Sequence, residues 1–302
     1  VSEWAARLPS ALAAFGCIFT VYLFGRRWWG EWEARWSTLI LLTCAGFFVF
    51  SRIVIFDMTL TFFITLALCA FYQAAQVDKP RAGWGLCFLL YGALGAATLT
   101  KGLVGILVPG MIIFFYLLLT NGWRSLTKIH LLAGVLLFLL VVVPWYLQAE
   151  LSNPGYLRYY LWDEHFGRFA TKQFDRFNPW YFYLYVVPAG LLPWTCLLPI
   201  TVQHYWRHAR QNKTLWLILW AAMPVIFFSF SKAKLPHYIL PSFPPLAILL
   251  GVALSQVLSD SQQRVRYGFA ASWLILSSLF LYLIAGLLRP ELFPRIIRGS
   301  LD

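Results

Sequence analysis

The chain is 302 residues long, 60% hydrophobic and 19% aromatic, with only 12% charged residues and a mean hydropathy of +0.68. That composition excludes an ordinary soluble domain and fits a membrane protein. The 24 Lys and Arg outnumber the 12 Asp and Glu, yet the charges sit at the ends of apolar runs, so a membrane partner is expected and no nucleic acid.

Ten apolar runs follow one another: residues 12–24, 36–50, 58–75, 84–100, 103–119, 131–147, 181–198, 215–230, 238–257 and 269–288. A helix needs about 20 mostly apolar residues to cross the hydrocarbon core. The second run is short enough to be tilted, thinned or buried, which makes nine spans the nearest competing count. The expected fold class is all-α: one polytopic integral membrane domain over residues 1–302, with about ten transmembrane helices and a further helix at the interface.

All five cysteines, Cys17, Cys44, Cys69, Cys87 and Cys196, fall in these runs, with no CxxC pair and no histidine at ligand spacing. They read as small apolar side chains and not as a disulfide framework or a zinc site. The first run begins without a basic leader or a small-residue cleavage site, and the chain opens on Val1, so an internal fragment of a longer protein is expected.

Ten spans place loops 25–35, 76–83, 120–130, 199–214 and 258–268 on one side, where they hold half of the 24 Lys and Arg. By number alone the positive-inside rule favours neither side. The distribution differs, however. Those five loops are short and basic, with only Glu31, Glu33, Asp78 and Asp260 as acids, whereas the opposite side mixes its acids with aromatics, prolines and histidine. The plain basic loops are therefore assigned to the cytoplasm and both chain ends to the other side.

A secondary transporter places ionisable groups near the bilayer midplane, on broken helices that recur in two halves. Here the spans are nearly free of charge, no half repeats the other, and polar residues gather at helix ends on one side. This suits an enzyme acting at the membrane surface on a lipid-linked substrate. The alternative function is a transporter of a lipid-linked or small polar substrate.

Four motifs on that side carry the candidate residues. In FSRIVIFDMTLTFF, Asp57 sits where a helix N-terminus favours a carboxylate, either as a simple cap with Thr59 beside it or as a site residue. Arg52 fits as a phosphate or carboxylate partner, or as a snorkelling anchor. In GALGAATLTKGLVGILVPG, Lys101 and Gly102 break a long apolar stretch, so two spans must meet in a tight hairpin with Lys101 at its tip. Lysine there holds a phosphate as a point charge or reaches for water. The spacing of Gly92 and Ala96 reads as close helix packing.

The third motif is LWDEHFGRFATKQFDRFNPW, within a loop spanning 148–180. Phe166, Ala170, Phe174 and Phe177 recur at helical spacing, with Arg168, Lys172, Asp175 and Arg176 around them, which describes an amphipathic interfacial helix. That helix does not require Asp163, Glu164 and His165 in succession, so Glu164 and His165 are site candidates whose partners come from other loops. In FSFSKAKLPHYILPSFPPLA, Pro236 and Pro241 force irregular backbone, tolerated at membrane depth only where protein or a water-filled cavity covers it. Lys232, Lys234, His237 and Tyr238 there suit a phosphate or pyrophosphate group on a lipid, or ordinary interface anchoring.

The ordered series EWAARLPSAL, RIVIFDMTLTFF, LTKGLVGILVPG, PWYLQAE, EHFGRF and FSFSKAKLPHYILPSFPPLA resembles the bacterial branch of the protein O-mannosyltransferase superfamily, and within it the lipid A aminoarabinose transferases. The resemblance spans residues 1 to about 257. It implies a GT-C membrane glycosyltransferase of the bacterial inner membrane, inverting, with its active face in the periplasm. A polyprenyl-phosphate sugar would be the donor, and the acceptor a lipid A-like, other glycolipid or protein partner.

By the same resemblance Asp57 and His165 contribute to a divalent metal site. Lys101, Arg168, Lys234 and Tyr238 contact the donor phosphate or line the substrate cavity; Arg52 and Glu164 join them as substrate-binding candidates from the reading of the residues alone. Family members carry their proposed catalytic base in a first periplasmic loop, so the resemblance implies that this base precedes Val1, that a C-terminal portion follows Asp302, and that the chain is inactive alone.

Overall fold

The structure is a computed structural model that describes residues 2–76, 80–160, 162, 178–208 and 211–259, with isolated positions at 270, 274, 277 and 278. Among the described residues the chain is a helical bundle without a β-strand. In order the helices are α1 (Glu3–Trp28), α2 (Glu31–Thr43), α3 (Ala45–Phe50), α4 (Phe56–Gln76), α5 (Pro80–Lys101), α6 (Val104–Thr120) and α7 (Ser125–Lys128). They continue with α8 (Leu131–Ser152), α9 (Tyr156–Arg158), α10 (Phe182–Gly190), α11 (Leu198–His208), α12 (Asn212–Phe230) and α13 (Phe243–Ser259). Two 3₁₀ segments, Trp194–Leu197 and Pro236–Ser242, precede α11 and α13.

Six described helical stretches are long and apolar enough to cross a membrane: Glu3–Trp28, Phe56–Gln76, Gly83–Lys101, Leu131–Ser152, Asn212–Phe230 and Pro236–Ser259. The chain is a multi-pass membrane protein. The expected runs at 36–50 and 181–198 are not single straight spans. The first breaks at Cys44, whose extended backbone (ψ 135°) separates α2 from α3. The second bends by 108° between Phe182–Gly190 and Trp194–Trp206, where Pro193 follows Leu192 through a cis peptide bond. The 17 residues of α6 reach about 25 Å at 1.5 Å per residue, close to the hydrocarbon thickness. Most of the tenth run and the interfacial segment 163–177 lie outside the described residues.

Two stretches form the centre. On α4, Asp57, Leu60, Thr61, Ile64, Leu68, Phe71 and Tyr72 are all buried, and α13 buries most of its residues from Phe243 to Val257. Helices α1, α2, α5, α6 and α12 surround them. Helix α8 instead packs mainly on α5 and leaves much of its apolar surface exposed, as a helix facing lipid does. Close approach is set by glycine at Gly105, where a Cβ would meet the backbone of Ala97 and Thr98, and at Gly251, where it would meet Ser37. The sequence spacing of Gly92 and Ala96 pointed elsewhere: nothing lies within 4 Å of a Cβ placed on Gly92.

The bundle has two distinct ends. At one, Trp28, Tyr72, Tyr116 and Trp216 form an aromatic cluster with ring centroids 5.0–6.1 Å apart. There Lys213 Nζ donates to the Trp28 carbonyl (3.2 Å) and Ser255 Oγ donates to Glu33 Oε1 (3.1 Å). The other end gathers the start of α4, the end of α5 and the segment between α12 and α13. This matches the division of loops read from the sequence.

Candidate functional site

Helices α4 and α5 are antiparallel neighbours of 21 and 22 residues, joined by a short connection at the aromatic end. Nearly equal lengths bring the first turn of α4 level with the last turn of α5. Asp57 lies in the former and Lys101 ends the latter, so each charge sits at the helix pole that favours it. Gly102 then turns the chain at φ +68° and donates its N–H to the Thr98 carbonyl (2.7 Å), as a helix-terminating glycine does. The hairpin expected from TKG is present, with Lys101 at its tip.

The two charges meet. Lys101 Nζ donates to Asp57 Oδ1 in a short charge-assisted hydrogen bond, and His237 Nε2 lies 3.8 Å from Oδ2. Asp57 is buried and Lys101 half-buried. The carboxylate is therefore engaged across the bundle and not with its own first turn, which removes the cap reading. Lys101 Nζ also stands 4.5 Å from the centroid of the Tyr238 ring, whose other neighbours are Phe228 and His237 at 5.1 Å. Phe50 flanks His237 at 5.7 Å. Three regions distant in sequence thus build one site: the end of α3 with the start of α4, the end of α5, and the 3₁₀ segment before α13.

Lys234 is 5% exposed. Its Nζ donates to the carbonyls of Ser231 (2.6 Å) and Asn178 (3.1 Å), and Asn178 Nδ2 returns a hydrogen bond to the Lys234 carbonyl (3.1 Å). Burial lowers the pKa of this ammonium from its ordinary value. Its partners are main-chain groups, not the Asp57 cluster. Arg52 also stays apart from that cluster: it is exposed and lies 4.2 Å over the Phe48 ring, because the turn after α3 directs it outward. Lys232 is exposed. Glu164, His165 and Arg168 lie outside the described residues.

The sequence reading offered His237 as a phosphate contact or interface anchor, and not as a neighbour of Asp57. Two prolines bracketing its segment were the available signal, but proximity to Asp57 is a tertiary fact. The metal site expected at Asp57 and His165 has only its first member, Asp57, among the described residues. Asp57 Oδ1 accepts from the Lys101 ammonium, while Oδ2 faces His237.

Comparisons with known proteins agree with this fold and its motifs. Residues 1–147 match the dolichyl-phosphate-mannose-protein mannosyltransferase family. The undecaprenyl phosphate-alpha-4-amino-4-deoxy-L-arabinose arabinosyl transferase of Pseudomonas aeruginosa is 36% identical over 254 residues, covering 83% of this chain and 46% of that protein. Its counterpart in Erwinia tasmaniensis is 34% identical over 257 residues, 82% of this chain and 45% of that protein. The crystal structure of ArnT from Cupriavidus metallidurans bound to undecaprenyl phosphate superposes with a TM-score of 0.82 at 33% identity. It covers 90% of this chain and 50% of that one. The chain spans about half the length of the curated relatives it matches.

The helical membrane fold and these matches define a GT-C membrane glycosyltransferase fold, and the chain belongs to the protein O-mannosyltransferase superfamily. Within it, the chain is similar to the aminoarabinose arabinosyl transferases named above.

Proposed function

We propose that this chain forms the membrane-embedded donor site of a glycosyltransferase that moves a sugar from a polyprenyl-phosphate donor to a lipid A-like acceptor. The reaction takes place at the periplasmic face of the bacterial inner membrane. A different glycolipid or a protein is the less supported acceptor. The observation that carries this reading is the Lys101 ammonium held between the Asp57 carboxylate and the Tyr238 ring. A fixed cation at the end of a membrane helix pair is what a lipid phosphate headgroup needs.

The chemistry assigns roles. An acceptor hydroxyl attacks the anomeric carbon of the donor sugar from the face opposite the phosphate. The bond between that carbon and the phosphate oxygen breaks, its electron pair leaves on polyprenyl phosphate, and the hydroxyl proton passes to a base. Lys101 stabilises the charge growing on the departing phosphate. Asp57 is engaged by Lys101 and faces His237, so its role is to hold Lys101, while the base comes from elsewhere in the protein, as the family resemblance implies. Arg168, Glu164 and His165 are further candidates from the interfacial segment for contacts with donor or acceptor. Asp57 and His165 would be the residues to hold a divalent ion, and no step is routed through one.

The test uses the protein as its gene encodes it, in membranes supplied with a radiolabelled polyprenyl-phosphate sugar. Wild type should transfer label to a glycolipid fraction, and Lys101→Met should not. Label crossing sealed vesicles without covalent transfer would instead establish the transporter, and unchanged turnover in Lys101→Met would remove the phosphate role.

A further inference from the structure

The peptide between α12 and the following 3₁₀ segment has extended backbone, with ψ 144° at Ser231 and 148° at Leu235. Extended main chain cannot satisfy its own polar groups, and Ser231, Ala233 and Lys234 are buried, where an unpaired carbonyl is costly. Main-chain bonds from Ser231 N to the Phe228 carbonyl and from Tyr238 N to the Leu235 carbonyl satisfy part of this need, and side chains supply further partners. Lys234 Nζ reaches back to the Ser231 carbonyl and across to the Asn178 carbonyl, Asn178 Nδ2 returns to the Lys234 carbonyl, and Tyr183 Oη donates to the Leu235 carbonyl at 3.1 Å. Every one of these bonds ends on main chain. Together they fix residues 231–235 to the start of the 178–190 stretch. Three residues beyond Lys234 comes His237, facing Asp57 Oδ2, and one further comes Tyr238, beneath the Lys101 ammonium.

We propose that Lys234 is a positioning residue, and not a phosphate ligand: with Asn178 it ties the 231–235 peptide in place and so sets His237 and Tyr238 against the Asp57–Lys101 pair. A lysine buried in a membrane protein carries a desolvation cost that selection retains only for a return. Here the return is geometric. An ammonium can satisfy carbonyls arriving from two directions at once, which neither a methionine nor the planar fork of an arginine reproduces. The inference rests on the transferase reading, since it is the placement of that reading's phosphate-binding group that Lys234 controls.

The experiment separates charge from geometry. Donor affinity is read as undecaprenyl phosphate binding, and turnover as kcat at saturating donor, for the full-length protein and its Lys234→Met, Lys234→Arg, Asn178→Ala and Lys101→Met variants. Lys234→Met and Asn178→Ala should each lower kcat by about tenfold to a hundredfold while weakening affinity by much less than Lys101→Met does, because a misplaced site loses rate before it loses binding. Lys234→Arg should not rescue kcat, although it keeps the charge. The double variant Lys234→Met, Asn178→Ala should be no worse than either single one, because they share one tie. Asn178→Ala keeps the lysine, so it reads the tie even if Lys234→Met fails to fold.

The proposal falls if Lys234→Met weakens binding as much as Lys101→Met does while kcat is kept, if Lys234→Arg restores turnover, or if Asn178→Ala leaves kcat unchanged. Failure of Lys101→Met to weaken binding, with the Lys234 and Asn178 effects as expected, would count against the phosphate role of Lys101 alone. An absence of transfer by wild type would overturn both readings.

Discussion

Asp57 and Lys101, forty-four positions apart in the chain, share a charge-assisted hydrogen bond at the mouth of the α4–α5 pair. The Asp57 side chain is 8% exposed and that of Lys101 28%, so water screens the pair only in part. Removing one partner strands the other. Asp57→Asn should destabilise the protein by about 1–3 kcal/mol, the cost of an unsatisfied polar group at a partly wet site, and should abolish most sugar transfer. A double-mutant cycle with Lys101→Met, followed by unfolding in detergent, should show strong coupling. Simple additivity would mean that the two residues act independently.

The ring of Tyr238, and not its hydroxyl, faces the Lys101 ammonium at 4.5 Å. Tyr238→Phe should therefore keep donor binding close to wild type. Tyr238→Leu should lose a cation–π contact of about 0.5–2 kcal/mol, read as roughly a 2- to 30-fold weaker affinity for undecaprenyl phosphate. Equal losses in both variants would assign the hydroxyl, and not the ring, to the donor.

Gly105 tests the hairpin that carries Lys101. A methyl group there would meet the backbone of Ala97 and Thr98, which cannot move aside as a flexible side chain would. Gly105→Ala should force α5 and α6 apart, cost about 1–3 kcal/mol by overpacking, and lower the yield of folded protein in membranes. Gly92→Ala, with nothing within 4 Å, should be neutral. A fully stable Gly105→Ala would show that the hairpin tolerates a wider crossing.

At the opposite end, Glu31 accepts from Tyr22 Oη at 2.6 Å and pairs with Arg26 and Arg35 at 3.2 Å. The Tyr22 hydroxyl first, and the two arginines with it, hold this carboxyl below its ordinary value. A carboxyl lowered in the folded state stabilises the protein above its unfolded pKa, and that contribution is lost as pH falls through the folded one. Glu31→Gln should therefore lower the melting temperature slightly at neutral pH, and the difference should close in acid. A difference that grew in acid would refute the assignment.

Much of this is legible in the sequence. Run length reveals the membrane helices, and the TKG interruption reveals the hairpin with Lys101 at its tip, since a glycine after a lysine between two apolar runs leaves the chain little other course. The breaks at Cys44 and at Leu192–Pro193 are not legible, because apolar composition measures length and not straightness. The surroundings of Lys234 are not legible either: a lysine near a membrane surface reads as a hand extended to phosphate, and only the tertiary structure shows its bonds to the Ser231 and Asn178 carbonyls. Arg52 looks like a neighbour of Asp57 by sequence distance, yet the turn after α3 sends it to the surface.

The sequence by itself determined the solvent in which this chain folds, because about twenty apolar residues in a row are stable only in hydrocarbon or in a core this chain is too apolar to enclose. It determined also which helix ends carry charge, since ionisable groups are driven out of the spans. Tertiary structure alone decided which charges meet. Asp57, Lys101, His237 and Tyr238 lie on segments up to 181 positions apart, and nothing in their local sequence encodes a distance of a few ångströms between them. That distance follows from matched helix lengths, a glycine-lined crossing and a peptide tied down by a buried lysine, and each of these depends on what the rest of the bundle places opposite.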